Sequence, residues 1–415
     1  MSRDLSDPAP IANSVDPGVP ILVLMPPPAG LRAGAADAKI LGLSLMGRMV
    51  LAARRAGYRQ VVYLARDHVV QPELVMRADW TGIAALLETS WGVVIAPANA
   101  LPEREWLERL AAIQLTASAW AAAPEGIVLL PGAVARDALA HLAEADAYDL
   151  PAVHERLTRR FGAPAALPAE IAPMVVATPD DARAAERRLL RSVIKDTDGF
   201  MARHVERPIS LAISRRLAST SVTPNQMSLI SLAVGLASAP FLLSAEALWQ
   251  TVGALLLLAH SILDGCDGEL ARLKFEESRW GGVLDFWGDN IVHCAVFGCM
   301  AAGWSRALGG ALPLWLGAAA ILGTIGSASF VYWRVMRPKE GEGPLYTSVS
   351  TEPGRPLARL LDALSRRDFI YLVLAFALAG KVGWFLVLTA VGAPTFFVLL
   401  VVLAWREGAA PPSGL

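Results

Sequence analysis

The sequence predicts a multidomain protein, an N-terminal α/β Rossmann-like domain joined to a C-terminal all-α domain of six transmembrane helices. Three observations predict it. The 415-residue chain is 54% hydrophobic with a mean hydropathy of +0.44, more apolar than an ordinary soluble protein of this size. Its first half alternates short β-rich runs with helical patterns. Its second half carries six apolar stretches, each near the ~20 residues that a bilayer crossing requires. The formal net charge of −1 gives no bias toward nucleic acid, and no such partner is expected.

Residues 1–17 are polar and acidic and are expected to be disordered. They lack the apolar core of a signal peptide, so the N-terminus is expected in the cytoplasm. Residues 18–190 form the α/β domain, also expected to be cytoplasmic. Its strands are VPILVLM (19–25), QVVYLA (60–65), GVVIAPA (92–98) and GIVLLPG (126–132). Its helices include 40–57, 103–114 and 134–145, an alternation that favours a mainly parallel sheet. A charged helix over 180–195 leads out of it.

Residues 196–222 mix apolar positions with many Arg and read as an interfacial amphipathic helix on the cytoplasmic bilayer surface. The transmembrane domain, 223–408, begins at TPNQ (223–226), where Pro marks a helix start. Spans are expected at 225–243, 247–270, 281–303, 311–333, 367–383 and 384–405. The fifth is short, so five spans plus a re-entrant piece is the alternative. Arg272, Lys274, Arg279, Arg334, Arg337, Lys339, Arg355, Arg359, Arg366 and Arg367 follow the second and fourth spans, whereas the opposite loops carry Arg306 and Lys381. This bias puts both termini, and the loop after span two, in the cytoplasm of an integral membrane protein.

The chemistry concentrates in Asp264-x-x-Asp267-Gly268-x-x-Ala271-Arg272, then eight residues, then Gly281-x-x-x-Asp285-x-x-x-Asp289. Residues three or four apart share a helix face, so each helix presents a pair of carboxylates. Carboxylates in or near a membrane are costly and usually functional. Four together suit two hard divalent cations, able to clamp a pyrophosphate. Arg272 adds a donor fork for phosphate oxygen. Gly268, Ala271 and Gly281 leave room for a ligand or a neighbouring helix. A carboxylate beside the cations could take a proton from an attacking hydroxyl. The competing reading is an ion pathway, carrier or scaffold.

The string LDGCDGELARLKFEESRWGGVLDFWGDN (263–290) resembles the signature of the CDP-alcohol phosphatidyltransferases, with every fixed position matched. The resemblance extends over about 196–405 and implies a phospholipid-biosynthesis enzyme that moves a phosphoalcohol group from a CDP-alcohol to an acceptor alcohol, releasing CMP. It implies binding of two Mg²⁺ or Mn²⁺ ions by Asp264, Asp267, Asp285 and Asp289, with Asp289 also the general base. It implies CDP-alcohol contacts by Gly268, Arg272 and Ser278, with Asn225 and Ser228 from the first span; Ala271 and Gly281 complete that set. Arg334, Arg337, Arg366 and Arg367 are candidates for an acceptor phosphate, although topology anchoring is their plainer role. A homodimer is expected by resemblance.

Residues 18–190 are similar to a nucleotidyltransferase-like domain that is sometimes fused to this family, as in enzymes that make CDP-inositol and consume it. The features of active members are poorly kept. MPPPAGLRAGAADAK (25–39) echoes the phosphate loop through Gly30, Arg32, Gly34 and Lys39, but its three prolines lack N–H donors. Asn99 stands where an acid is expected, and no G-x-G-x-x-G follows the first strand. A catalytically silent domain is expected; a bifunctional enzyme, with a soluble donor such as CDP-inositol, is the alternative.

Cys266, Cys294 and Cys299 show neither disulfide nor zinc spacing and read as packing thiols. His260 and His293 read as packed rings beside the motif, with a proton relay as the lesser reading. Trp249, Trp304, Trp315, Trp384 and Trp405 read as interfacial anchors, and EGEGPLYTSVSTEPGRP (340–356) as a mobile loop or lid.

Overall fold

The computed structural model describes residues 20–27, 39–58, 60–64, 76–87, 92–113, 119–123, 126–168, 173–194, 199–337 and 368–409. The expectations for 1–17, for the loop 340–356, for Gly30, Arg32 and Gly34, and for Lys339, Arg355, Arg359, Arg366 and Arg367 lie outside these residues. The chain divides into two compact units, Met1–Arg187 and Arg188–Leu415.

The first unit is an α/β sheet domain. Its elements are β1 (Ile21–Met25), β2 (Lys39–Ile40), β3 (Leu43–Ser44), α1 (Leu45–Arg55), β4 (Val61–Leu64), β5 (Met76–Ala78), α2 (Trp80–Leu86), β6 (Gly92–Pro97), α3 (Arg104–Ala112), β7 (Ala121–Ala122), β8 (Val128–Pro131), α4 (Gly132–Glu144), α5 (Leu150–Phe161), β9 (Ala165–Ala166) and α6 (Pro179–Ser192). Seven strands form one sheet in the order β5-β4-β1-β6-β8-β7-β9. Pairs β1–β4, β1–β6, β4–β5 and β7–β9 are parallel, whereas β6–β8 and β7–β8 are antiparallel. The sheet is therefore mixed, with its parallel part centred on β1. Strands β1, β4, β6 and β8 are fully buried, which is why their sequences are continuous apolar runs.

One expectation is corrected here. The run 40–57 is not helical from its start, because β2 and β3 pair as a hairpin before α1 begins. The turn puts Leu41 and Gly42 at φ 51° and 85°, the left-handed pair that a tight hairpin needs. Arg48 fixes this turn. Its guanidinium is buried and donates to Ile40 O at 3.0 and 2.7 Å and to Leu41 O at 3.0 Å. Burial pushes its pKa down to about 10.

The second unit is helical. It contains α7 (Arg207–Leu217, preceded by a wide turn over Ala202–Glu206), α8 (Pro224–Ser238, extended by Ala239–Leu243), α9 (Ala247–Lys274), α10 (Arg279–Leu308), α11 (Leu312–Val331, extended by Tyr332–Met336), α12 (Phe369–Leu378) and α13 (Val382–Ala409). Among the described residues, five helices are long and apolar enough to cross a membrane, and α12 is apolar but has only 10 residues. Their mutual core joins Leu242, Leu257, Val296, Met300, Val373 and Leu386, while Leu229, Leu255, Ile291, Leu322, Val391 and Val398 face outward. An apolar outer face is the signature of helices solvated by lipid. Small residues permit close crossings: a Cβ on Gly317 would lie 2.4 Å from the Ala301 Cβ.

Helix α7 is two-faced. Ser210 and Ser214 are buried, whereas Phe200 and Val205, in the turns before it, and Ile209 within it are exposed. Trp249, Trp315, Trp384 and Trp405 are exposed near span ends. Trp304 differs: its ring packs against Gly383, whose added Cβ would meet it at 2.6 Å, so it belongs to the helix core. Cys266, Cys294 and Cys299 are all free thiols.

Candidate active site on two adjacent spans

Helices α9 and α10 position the carboxylates. Thr223 caps the start of α8 with a reciprocal capping box to Gln226. Ser278 caps α10 by accepting from Gly281 N at 3.0 Å. Between the spans, Phe275 ends α9 in the left-handed conformation, and Lys274 donates to Thr220 O and Val222 O at 2.8 and 2.7 Å. These contacts tie the end of α9 to the start of α8, so three helix ends meet beside the motif.

Asp264, Asp267 and Asp285 converge. One carboxylate oxygen from each lies within 4.8 Å of the others. Asp264 and Asp267 are buried, and Asp285 Oδ1 is buried with no hydrogen-bond partner among the described residues. Acid faces acid here, an arrangement that disfavours the carboxylate charges unless a cation lies between them. The donor set, three convergent carboxylates and no sulfur, fits a hard divalent cation.

Asp289 lies on α10 one turn beyond Asp285. Its Oδ1 lies 3.4 Å from His260 Nε2. Ser228 donates to Asp267 Oδ2, so it supports a carboxylate directly. Arg272 donates through Nη2 to Val193 O at 3.0 Å, and a Cβ on Gly268 would approach its Nη1 to 3.3 Å. Asn225 and Ser278 meet at Gly281, where an added Cβ would lie 2.9 Å from both Asn225 Oδ1 and Ser278 Oγ. The half-buried Ala271 lies on the same helical turn as Gly268. Arg334 and Arg337 are exposed; the Arg337 guanidinium stacks 4.2 Å over the Trp333 ring, and its carbonyl accepts from Arg279 at 2.8 Å.

Two features escaped the sequence reading. Ser231 faces His260 across α8 and α9, with its Oγ and its carbonyl O each 2.9 Å from Nδ1. Glu269, at a variable position of the motif, accepts from Arg207 at 2.7 Å, Ser210 at 2.6 Å and Ser214 at 2.7 Å. His260 did carry a signal, since it precedes Asp264 by four residues and so shares its helix face. In the first unit, Asn99 is fully buried and donates to Val176 O at 3.0 Å, while its own carbonyl accepts from Val176 N at 2.9 Å.

Fold and site together define an integral membrane protein with a candidate divalent-cation centre on adjacent helices. Residues 221–351 match the family model described as CDP-alcohol phosphatidyltransferase. The archaetidylinositol phosphate synthase of Pyrococcus horikoshii is 30% identical over 161 residues, which cover 39% of this chain and 78% of that protein. The chain belongs to the CDP-alcohol phosphatidyltransferase family. It is also similar to a bifunctional IPC transferase and DIPP synthase of Thermococcus kodakarensis, 39% identical over 127 residues, 30% of this chain and 28% of that one. The match thus spans between a quarter and a third of that relative's length. A solved Mycobacterium tuberculosis phosphatidylinositol phosphate synthase with CDP-DAG bound aligns at 19% identity and a TM-score of 0.36, over 50% of this chain and 100% of that one.

Proposed function

We propose that this protein transfers a phosphoalcohol group, phosphatidyl or similar, from a CDP-alcohol to an acceptor alcohol and releases CMP, as a step of phospholipid biosynthesis. The observation that carries the proposal is the convergence of Asp264, Asp267 and Asp285 within 4.8 Å, inside the segment that matches the family. Asp264, Asp267 and Asp285, joined by Asp289, hold two Mg²⁺ or Mn²⁺ ions. Divalent cations held there would supply compensation for the pyrophosphate charge and for the departing phosphate.

The side chains do the rest. Asp289 accepts the proton of the acceptor hydroxyl. That oxygen forms a bond to the β-phosphorus of the donor, the anhydride P–O bond breaks, and CMP leaves with the bonding pair. Ser228 keeps Asp267 oriented. Asn225, Ser278 and Arg272 supply polar contacts to the CDP part, while Gly268, Ala271 and Gly281 leave it space. Arg334 and Arg337, with Arg366 and Arg367, bind a phosphate on the acceptor. Six crossings, with α12 as the fifth, put both termini and the site on the cytoplasmic side, where a nucleotide-linked donor is found. The transmembrane domain is 223–408, fronted by the interfacial helix 196–222, and the protein works as a homodimer.

The Rossmann-like domain, 18–190, is catalytically silent in this reading. The buried Asn99 amide, whose nitrogen donates to Val176 O, supports that, because a neutral amide is a poorer cation ligand than a carboxylate. A second reading makes the chain bifunctional, with the first domain producing a soluble CDP-alcohol; the name of the Thermococcus relative favours it. CTP-dependent pyrophosphate release by the Asp289→Asn protein separates the two, since silence predicts none. The main proposal is tested by CMP release from labelled CDP-diacylglycerol and CDP-inositol against a panel of acceptors. Release should fall ~10²–10⁴-fold in Asp289→Asn while membrane insertion is unchanged. Binding of CDP-alcohols without CMP release would instead indicate a carrier or scaffold.

A further inference from the structure

Arg272 closes the first half of the motif, yet its guanidinium is held by a segment outside the motif. Its Nη2 donates to the backbone carbonyl of Val193 at 3.0 Å, across 79 residues of chain. Val193 stands just beyond α6 with its side chain buried at 5% exposure, which anchors that carbonyl. Two nearby carbonyls at the end of α6 are closed locally. Leu189 O accepts from Ser192 Oγ at 2.8 Å, and Arg191 O accepts from Ile194 N at 3.2 Å. Val193 O turns instead to Arg272. The same guanidinium lies over Gly268, where an added Cβ would come within 3.3 Å of Nη1 and 3.8 Å of Nη2. Gly268 directly follows Asp267, so the fork rests one residue along α9 from the convergent carboxylates.

We infer that Val193 is a positioning residue for the donor site, its carbonyl oxygen orienting the Arg272 fork toward a phosphate of the CDP part. The inference rests on the proposed activity and deepens it, by carrying the donor site into the segment before the interfacial helix. A long arginine side chain loses much rotamer freedom when an anion fixes it, and a side chain fixed beforehand has less to lose. A carbonyl can only accept, so this bond orients the guanidinium without neutralising it. Val193 also lies outside the segment 221–351 that matches the family, so the motif by itself does not contain the whole device.

The experiment uses the full-length protein in detergent micelles with Mn²⁺, and labelled CMP as the probe. CMP affinity and melting temperature are measured for wild type, Ile194→Pro, Val193→Ala, Arg272→Ala and the double variant Ile194→Pro/Arg272→Ala. Proline at 194 drives residue 193 out of the helical region and removes the N–H that bonds Arg191 O, so the Val193 carbonyl is re-aimed. Val193→Ala trims the buried side chain and keeps the carbonyl. The inference predicts that Ile194→Pro weakens CMP about tenfold, the scale of a hydrogen bond to a charged group. Val193→Ala should lower the melting temperature and leave CMP affinity close to wild type. With Arg272→Ala already present, Ile194→Pro should add less than about twofold, because groups that act through one another are not additive. Should the proline protein fail to fold, Val193→Gly, which frees the backbone at that carbonyl, should weaken CMP more than Val193→Ala does. A segment that only stabilises the fold would give the same loss of CMP affinity with and without Arg272. That result, equal affinities in Val193→Gly and Val193→Ala, or unchanged or tighter CMP binding in Ile194→Pro overturns the inference. Wild type that binds no CMP overturns it together with the proposed function. Wild type that binds CMP but releases none from CDP-diacylglycerol or CDP-inositol fails the proposed reaction alone, and the affinities still decide the inference.

Discussion

Glu269 and Asp267 lie two residues apart on α9 and are both sealed from solvent, at 0% and 6% exposure, yet their surroundings are opposite. Glu269 is met by Arg207, Ser210 and Ser214, which satisfy both carboxylate oxygens. Asp267 has the Ser228 hydroxyl and the Gly268 N–H, and its neighbours include the carboxylates of Asp264 and Asp285. A buried carboxylate with a full set of donors stabilises a contact, here between α7 and α9. A buried carboxylate aimed at other carboxylates stores electrostatic strain that a cation relieves. The difference separates scaffold from site on a single helix.

The comparison can be broken by exchanging what each group lacks. The largest effect is expected at the trio: Asp264→Asn should lower CMP release ~10³-fold or more, because a cation ligand is lost, while thermal stability holds. Comparable release by that variant would remove the site. Next, Glu269→Ala should destabilise the membrane unit by about 3–5 kcal/mol, since it breaks the buried ion pair with Arg207. The check is thermal unfolding in detergent, and an unchanged midpoint would show the network to be ornamental. The smallest effect has the opposite sign. Asp285→Asn should stabilise the cation-free protein by about 1 kcal/mol, as removal of strain at a functional site commonly does. It should also abolish the Mn²⁺-dependent rise in melting temperature. Destabilisation of the cation-free protein would show that Asp285 has a structural partner after all.

The sequence exposed these two classes unequally. The four Asp were legible because their spacing alone puts them on helix faces and their cost in a membrane demands a reason. Glu269 sits at a variable position, and its partners come from α7, more than 50 residues earlier, so no local pattern marks it. Ser228 and Ser231 acquire meaning only when α8 packs on α9. The same limit governs the fold. Strands β1, β4, β6 and β8 are apolar runs and could be read, but β7 and β9 are Ala-Ala pairs with no strand signature. The direction of β8 depends on how the chain crosses the sheet, which composition does not encode. The β2–β3 hairpin hid inside an apparent helix because the force holding it is Arg48, eight residues beyond Ile40. The shortness of α12 was visible from Lys381, and Gly380 at φ 66° ends that helix just before it.

The measurement closest to the centre of the account is CMP release from a CDP-alcohol by purified protein, titrated with Mn²⁺, for wild type beside Asp285→Asn. The account predicts release that rises from nothing as the cation is added, and none at any concentration in the variant. Release that persists in chelator, or equal turnover by the two proteins, would contradict it.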